Sequence, residues 1–575
     1  MSSLWRTLRS PFWVARIVGL VGAVTLVSAV LPSFRDRTQL INDLVPDAFP
    51  AAATTGAAAV GLILILLSRA LRRGKYRAWL LATVLTAMTV GLHLLKGLDI
   101  EEAVLSVALF VLLLSARPGF TAKPDPRSLT RLVAVLVVGP MVATVVGWLW
   151  LSIDADGQAP GTTAFDRLVQ AFLGLFGISG PVQFVDGADE ARAAVALVVL
   201  GASVVILAVL VALQPADGPH PLTEEERERL KPVLDRWGGI DSLSYFALRD
   251  DRSVIFSPTG KAAVTYRVVG TVSLAAGDPL GDPEAWPGAI AEWLAEAKSF
   301  GWVPAVLAAS ERGAEAFHRF AMDALELGDE AILHVDDFSL EGRSMRVVRQ
   351  AVSRCSRAGL TVCCSRVGDL DPETLELIRA KAEEWRDGAV ERGFSMALGR
   401  FGSPSDAGSV VALTRDADGE LRGLLHFVPW GSEGLSLDLM RRDRESENGI
   451  VEQMVAALMA DAKRLGVCRV SLNFAVFRSV FARGERLGAG PVLRVWRSVL
   501  LGLSRFWQIE SLYRANAKYQ PEWLPRYLCF PTARDLPRIA VAALTAEAFL
   551  PTIGRTQHQG AAPVTEAKRA PALVG

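Results

Sequence analysis

A short run of charged side chains at the end of a strand-like pattern is the first feature of this sequence that suggests chemistry. In GLSLDLMRRD (434–443), apolar and polar residues alternate with the period of two that is typical of a half-buried strand. The carboxylate of Asp438 stands just before the guanidinium groups of Arg441 and Arg442. Such a carboxylate can bind an ammonium group or take a proton from a hydroxyl, and the arginines can bind phosphate. On spacing alone, an ion pair that only shapes the loop explains the same residues.

A second concentration of chemistry-bearing side chains lies between residues 478 and 526. This stretch holds nine basic and three acidic residues in a chain whose formal net charge is +0. Within it, apolar residues recur at helical spacing with arginines between them. A basic amphipathic helix of this kind can lie on an anionic bilayer, or its arginines can bind a nucleic-acid backbone. A helix that packs its apolar face on a core and exposes a basic back gives the same pattern.

The apolar residues that must anchor or position these groups are gathered in the N-terminal part of the chain. Of the 575 residues, 51% are hydrophobic and the mean hydropathy is +0.30, which is high for a soluble enzyme. The candidate spans are 17–34, 48–68, 78–95, 103–116, 132–152 and 193–213. Most are long enough to cross a hydrocarbon core of about 30 Å. We therefore expect an α-helical membrane region over residues 1–213, with about six spans, followed by a soluble region.

The basic residues of the short loops predict the orientation of these spans. Lys and Arg number 12 on one side and 5 on the other, so the N-terminus is expected in the cytoplasm of a multi-pass cell-membrane protein. Six crossings would return the chain there, which makes the C-terminal region cytoplasmic. The five cysteines show no C-x-x-C spacing and the six histidines are scattered. We predict no metal site.

The sequence of the C-terminal region predicts two successive α+β cycles. We expect a linker and helix start at 214–240, a first subdomain at 241–370, a second at 371–535 and a disordered tail at 552–575. The first cycle predicts helices at 283–300, 313–325 and 343–357 with a strand at 332–338. The second predicts helices at 372–391 and 449–465, and strands at 410–416, 421–430, 435–440 and 468–475. This order is that of GNAT-type acyltransferases, but the loop before the second helix has only Gly449, so we expect no coenzyme A and no other cofactor.

Several stretches of the C-terminal region resemble the aminoacyl-phosphatidylglycerol synthases of the MprF type, also called phosphatidylglycerol lysyltransferases. The matching stretches are SLSYFALRDD (242–251), GDPLGD (277–282), GFSMALGRFG (393–402), FVPWGSEGLSLDLMRRD (427–443), SLNFAVFRSVF (471–481) and YQPEWLPRYL (519–528). The resemblance implies two tandem GNAT-like folds, aminoacyl-tRNA as a co-substrate and a membrane lipid as acceptor.

The resemblance also implies roles for particular residues. Asp438 and Arg441 match a pair regarded as essential in the family, so we expect Asp438 to bind the amino group or move a proton and Arg441 to bind phosphate. Lys518 matches a basic position at the family's active site, where an ammonium group can stabilise an oxyanion. The expected substrate-binding residues are Asn473, Arg478, Arg442 and Arg526.

The function implied is transfer of an amino acid, with lysine favoured and alanine open, from aminoacyl-tRNA to a glycerol hydroxyl of phosphatidylglycerol. Such transfer alters membrane charge and gives resistance to cationic antibiotic peptides. A separate aminoacyl-tRNA synthetase would supply the donor, and a homo-oligomer is open. Two alternatives remain at this point: a Fem-like transferase acting on a peptidoglycan precursor, and a lipid flippase whose cytosolic domain is regulatory.

Overall fold

The computed structural model describes residues 9–30, 48–72, 74–97, 100–120, 126–155, 157–212, 220–388, 390–476 and 515–550. Arg478, most of the basic stretch at 478–526 and the tail at 552–575 therefore lie outside the described residues.

Helices make up most of the described N-terminal part. Its helices are α1 (Pro11–Val30), α2 (Ala48–Leu71), α3 (Tyr76–Gly97), α4 (Ile100–Ala116), α5 (Pro126–Ile153), α6 (Ala164–Gly174) and α7 (Gly187–Ala212). Each of the six expected spans coincides with one of these helices. The short helix α6 was not predicted, because the loop between the last two spans showed no long apolar run.

Two of the N-terminal helices meet the length and composition needed to cross a bilayer within the described residues. They are Val133–Ile153 of α5 and Gly187–Val211 of α7. Both helices expose most of their apolar side chains, as membrane helices do. In α1 to α4, the apolar stretches whose side chains the structure describes are shorter than 18 residues. The structure therefore supports a membrane region, and the count of six spans stays a prediction.

The C-terminal part is a layered α+β domain. Its helices are α8 (Glu224–Trp237), α9 (Trp286–Phe300), α10 (Glu311–His318), α11 (Arg346–Arg357), α12 (Pro372–Arg386), α13 (Ile450–Asp461) and α14 (Leu536–Ala546). Its strands are β1 (Ser253–Phe256), β2 (Ala262–Val269), β3 (Val272–Ala276), β4 (Leu280–Gly281), β5 (Val303–Ala309), β6 (Asp323–His334), β7 (Thr361–Arg366), β8 (Val410–Arg415), β9 (Leu421–Trp430), β10 (Gly434–Arg442), β11 (Arg469–Val476) and β12 (Glu522–Phe530).

The strands form one 12-stranded sheet in the order β1-β2-β3-β5-β12-β6-β11-β10-β9-β8-β7, with β4 beside β2. The same order occurs twice: an antiparallel meander, a helix, and a strand parallel to the last strand of the meander. In one half these are β1 to β3, α9 and β5; in the other they are β7 to β10, α13 and β11. The pairings of β12 with β5 and of β6 with β11 join the halves.

Two expectations from the sequence differ from these elements. The helix expected at 313–325 ends at His318, and the segment from Asp323 to His334 is one long strand, β6. Its acidic residues hid the strand pattern, because a buried Glu330 is unexpected without a view of its partner. The boundary between the two subdomains, expected at residue 370, also differs. It lies after β7, although β7 pairs with β8 of the second half.

A buried cluster of charged side chains sits where the two halves meet. The guanidinium group of Arg526 on β12 donates to Glu330 Oε2 at 2.9 Å from Nε and to Asp241 Oδ1 at 2.7 Å. Asp241 Oδ2 accepts the Asp278 amide at 2.9 Å, and Asp278 accepts the hydroxyl of Ser310 at 2.6 Å. The side chains of Arg526, Asp241 and Glu330 are 5%, 2% and 1% exposed. Arg526 was expected to bind substrate, and this position corrects that expectation: its donors are used inside the core.

We predict that Arg526→Met lowers the stability of the folded protein by about 3–5 kcal/mol, because it leaves buried carboxylates without their counter-ion. Thermal unfolding of the detergent-solubilised full chain would measure this change as a fall in Tm. The matched control is Arg444→Gln, which removes an exposed arginine paired with Asp387 at 3.0 Å and should leave the Tm unchanged. Equal Tm values for Arg526→Met and the wild type would contradict a structural role for the cluster.

The same cluster predicts a pH dependence, because one guanidinium faces three carboxylates. Burial, with the neighbouring carboxylate of Asp241, raises the pKa of Asp278 to about 7. Asp278 then binds its proton more tightly in the folded than in the unfolded chain, where an Asp titrates near 3.9, so stability falls as pH rises from about 4 to about 7. We expect Asp278→Asn to flatten this fall in Tm between pH 5 and pH 8. A parallel fall in both proteins would exclude Asp278 as its source.

Candidate active site

The strand that carries Asp438 is interrupted at that residue. Leu437 of β10 lies opposite Phe427 of β9 and Leu439 lies opposite His426, so Asp438 is an extra residue in the ladder. A bulge of this kind bends the strand and re-aims a side chain. The period-two pattern predicted the strand and not this break.

The bulge turns the Asp438 carboxylate onto two donors. Its Oδ2 lies 2.7 Å from His426 Nδ1, and its Oδ1 accepts the amide of Leu398 at 2.6 Å. The side chains of Asp438 and His426 are 5% and 1% exposed. The other ring nitrogen, His426 Nε2, is buried and has no hydrogen-bond partner among the described residues. The edge of the ring packs on Phe401, with the ring centroids 5.0 Å apart. The result is a buried acid–imidazole pair with one free nitrogen.

The loop that supplies the Leu398 amide is held by a neighbouring set of arginines. Arg249 donates to the carbonyl oxygens of Gly393 and Ala397 at 2.7 and 2.8 Å. Arg252 is fully buried and donates to the Phe394 carbonyl at 2.6 Å. Two stretches that carried the family resemblance, 242–251 and 393–402, thus contact each other through Arg249. Their contacts fix the donor that faces Asp438.

The neighbouring strand β11 separates from β10 close to the bulge. The parallel pairing of β10 with β11 covers Gly434 to Ser436 and ends there. Asn473 on β11 has a left-handed backbone, with φ 65°, and its side-chain amide Nδ2 donates to the Leu437 carbonyl. Asn473 Oδ1 is buried and has no partner among the described residues. Asn473 therefore spans the gap between the two strands, and its role in substrate binding stays a prediction.

A cavity of about 340 Å³ opens beside this gap, between β10, the start of α13 and residues 515–519. Lys518 donates to Glu452 at 2.6 Å, and their side chains are 20% and 19% exposed. Arg442 also lines the cavity and has no ion-pair partner within the part of the chain that the structure describes. Burial, with the nearby Glu452, raises the pKa of Tyr519, so its hydroxyl stays protonated, and that hydroxyl has no partner among the described residues.

The start of α13 adds a further positive feature to this cavity. Gly449 precedes the helix with φ 109° and packs closely on α11, where an added Cβ would lie 2.7 Å from the Ala351 Cβ. Glycine is needed there for both reasons. The amides of the first helical turn, from Ile450 on, line the cavity and suit an anion. The single glycine was expected to leave no phosphate site; together with Arg442 and Lys518, the helix start still gives a cationic rim.

Arg441 is separate from Asp438. Its guanidinium donates to both oxygens of Glu391 at 2.8 Å, and its side chain is 22% exposed. The ion pair that spacing alone allowed between these two residues is not formed: Asp438 pairs with His426 and Arg441 with Glu391. The bulge explains the difference, because the residues after it no longer keep the alternation that the sequence suggested.

The structure therefore gathers some expected site residues and separates others. Asn473 spans the gap next to the Asp438 bulge, and Lys518 and Arg442 line the cavity. Arg441 is paired with Glu391 and is not among the residues that line the cavity. Arg526 is in the core, and Arg478 lies outside the described residues. Sequence reasoning missed His426 as the partner of Asp438. The available signal was that both residues lie on neighbouring strands joined by a short turn, where cross-strand pairs form.

Comparisons with known proteins show which family the chain resembles. A family model described as "Phosphatidylglycerol lysyltransferase, C-terminal" matches residues 231–530, and one described as "Transmembrane region of lysyl-tRNA synthetase" matches residues 6–213. A relative from Mycobacterium avium (strain 104), a lysylphosphatidylglycerol biosynthesis bifunctional protein LysX, is 42% identical over 552 residues, which are 93% of this chain and 46% of the relative. A LysX protein of Rhodococcus jostii (strain RHA1) is 40% identical over 548 residues, 94% of this chain and 49% of the relative.

This chain thus spans about half the length of the curated relatives it matches. Among solved structures, L-PGS from Bacillus licheniformis aligns with a TM-score of 0.50 and 23% identity over 58% of this chain and 98% of that chain, which supports the fold. The family resemblance read from the sequence is confirmed. The chain belongs to the phosphatidylglycerol lysyltransferase family, with a membrane region that precedes the family's C-terminal domain.

Proposed function

We propose that this protein transfers an amino acid, lysine by preference, from aminoacyl-tRNA to a glycerol hydroxyl of phosphatidylglycerol. The observation that carries the proposal is a set of unsatisfied polar atoms around the bulge, the gap and the cavity. Among the described residues, buried polar atoms without partners include His426 Nε2, Asn473 Oδ1 and the Tyr519 hydroxyl. His426 is bonded to Asp438 at the bulge, Asn473 spans the gap, and Tyr519 lines the cavity beside it. Buried polar atoms are usually satisfied, so unpaired atoms on these residues support substrate binding here.

The reaction needs positioning and one proton transfer. The ester between the amino acid and the tRNA ribose is broken and an ester to the lipid glycerol is formed, while the proton of the glycerol hydroxyl moves to the ribose oxygen. Asp438, oriented by His426 and the Leu398 amide, supplies a fixed carboxylate for that proton or for the amino group. Lys518 supplies a cation for the oxyanion of the intermediate. No cofactor is needed, because the donor ester is already activated.

The two faces of β10 suggest where each substrate binds. Leu425 and Leu437 line the cavity on the α13 side, whereas His426, the residue after Leu425, points to the side of Phe401 and α12. The cationic rim of the cavity suits the phosphates at the 3′ end of tRNA. The lipid glycerol then approaches from the Asp438 side, and the gap between β10 and β11 is where the two meet.

A neighbouring cavity supports the preference for lysine. It measures about 530 Å³, shares Tyr519 with the first cavity and is lined by Asp337, Glu341 and Glu522. Acidic side chains there suit the ε-ammonium group of a lysyl side chain.

The proposal includes the finer features of the architecture. The repeated order of meander, helix and parallel strand supports two tandem GNAT-like halves. The helices at all six expected spans support a multi-pass protein with its N-terminus and catalytic domain in the cytoplasm, where charged tRNA is found. A separate synthetase then loads the tRNA.

Expression of the full chain in a bacterial host that lacks aminoacylated lipids tests the proposal, with mass analysis of extracted lipids. We expect lysyl-phosphatidylglycerol in the wild type and a loss of about 100-fold or more in Asp438→Asn and in His426→Gln, because a positioned acid–base pair contributes at least that much. The matched control is Asp443→Asn, which removes a carboxylate from the same hairpin end that bonds Arg422 at 2.7 Å. The Asp443→Asn variant should form the lipid product at the wild-type level. An amino acid found on a peptidoglycan precursor and on no lipid would favour the Fem-like alternative.

Lys518→Ala separates catalysis from tRNA binding. If Lys518 stabilises the oxyanion, kcat falls by about 10²–10³ while the KM for charged tRNA changes little. Steady-state assays with purified protein in phosphatidylglycerol micelles and lysyl-tRNA measure both constants. Lys463→Ala, which removes an exposed lysine paired with Asp336 at 2.9 Å, is the control. A large rise in KM with an unchanged kcat would make Lys518 a tRNA-binding residue instead.

A further inference from the structure

The short helix α6, between the spanning helices α5 and α7, carries an exposed apolar stripe. Phe165, Leu168 and Phe172 on the helix and Phe176 in the turn just after it follow one another at spacings of three and four residues and are 70%, 38%, 48% and 60% exposed. Ala171 and Gly174 on the other side of the helix are buried. One face of α6 is therefore packed, and the other has no cover within the described residues.

Contacts with α5 and α7 show that α6 runs down between them. The Trp148 indole donates to the Ala164 carbonyl at the start of α6, at 3.0 Å. Further along, Ala171 packs against Gly147, where an added Cβ would lie 3.2 Å from the Ala171 Cβ. At the end of the helix, the Leu175 carbonyl lies so close to Gly201 that a side chain there would overlap it. Small residues at these contacts are typical of helix packing inside membranes.

The end of α6 reaches the middle of the spanning helix α7. Arg192 is the last charged residue at the start of α7, and Gly201 lies nine residues beyond it, which is about 14 Å along the axis. The midplane of a hydrocarbon layer about 30 Å thick is about 15 Å from its edge. The turn after α6 therefore lies near the midplane.

The backbone of this turn is largely self-satisfied. The amides of Phe176 and Ile178 both donate to the Leu173 carbonyl, at 3.0 and 3.2 Å. The buried side chain of Gln170 accepts the Val182 amide at 3.3 Å as the chain returns. Backbone groups at membrane depth must find partners within the protein, and these contacts meet that need.

Charged side chains are also absent from the segment that lies within the hydrocarbon layer. Residues 168–185 contain no Asp, Glu, Lys or Arg, whereas Asp166, Arg167 and Asp186 stand at the two ends of this segment. Arg167 donates to Gln158 at 2.8 Å just beyond the end of α5. The charged residues thus mark the water interface, and everything between them is compatible with hydrocarbon.

We infer that α6 is a re-entrant helix whose stripe of Phe165, Leu168, Phe172 and Phe176 contacts the acyl chains of the leaflet opposite the catalytic domain. The side follows from α7, which ends at Ala212 on the way to the catalytic domain and begins at Gly187 on the other side. The occupant follows from the helices that α6 contacts, because the spanning helices α5 and α7 expose apolar side chains in the same way, including Met141 and Val199.

Nitroxide labels on the full chain in phosphatidylglycerol-containing vesicles test this inference. Phe165→Cys, Phe172→Cys and Phe176→Cys are labelled one at a time in a background where the exposed Cys363 and Cys468 are serine. Collision rates with oxygen, which enters lipid, and with a water-soluble nickel chelate give the depth of each label. Val199→Cys, exposed on α7 near the level of the turn, is the lipid reference, and Val185→Cys at the end of the segment is the shallow reference.

We expect the ratio of oxygen to nickel collisions to rise from residue 165 to residue 176 and to match that of Val199 at residue 176. High nickel collision rates at 172 and 176, equal to those at Val185, would overturn the inference and place α6 in water. Low rates with both reagents would also overturn it, since a second protein copy would then cover the stripe. Formation of the lipid product by each labelled protein shows that it is folded, and Leu168→Cys replaces any variant that is not.

Discussion

The arrangement of this domain depends on one interaction, the pairing of the buried Asp438 carboxylate with His426 Nδ1 and the Leu398 amide. These two donors stabilise the bulge that makes Asp438 an extra residue in β10. The pairing of β10 with β11 ends at Ser436, two residues before the bulge, and β11 has its own irregularity at Asn473, with φ 65°. The gap and the adjoining cavity lie beyond this point.

The rest of the domain keeps that bulge rigid. Glu547, just after α14, accepts the amides of Phe394 and Ser395 at 2.7 and 3.1 Å, so the C-terminal helix helps to hold the loop that faces Asp438. The Arg526 cluster joins β12, β6 and the segment at Asp241 at the centre of the sheet. Sites supported in this way hold their groups in place before substrate binds, which lowers the cost of reaching the reactive geometry.

Local patterns in the sequence predicted most elements, and contacts between distant residues account for what they missed. Strand 421–430 was predicted at its observed bounds, and the helix from residue 372 ends at Arg386 because Asp387 is left-handed, with φ 52°. The contacts expected at the site differ more from the structure than the expected helices and strands do. Arg441 pairs with Glu391, 50 residues away, and Arg526 pairs with Glu330, 196 residues away. Charge types at a strand end indicate that chemistry is available, but register and bulges decide which charges meet.

A structure of the full chain with a non-hydrolysable, amide-linked lysyl-adenosine would show where the donor substrate binds. We expect the adenosine in the cavity beside Lys518 and the lysyl group at the gap between Leu437 and Asn473, with its α-amino group or carbonyl within about 3.2 Å of Asp438 or His426. A bound analogue that leaves the gap empty, with β10 and β11 paired beyond Ser436, would contradict this expectation.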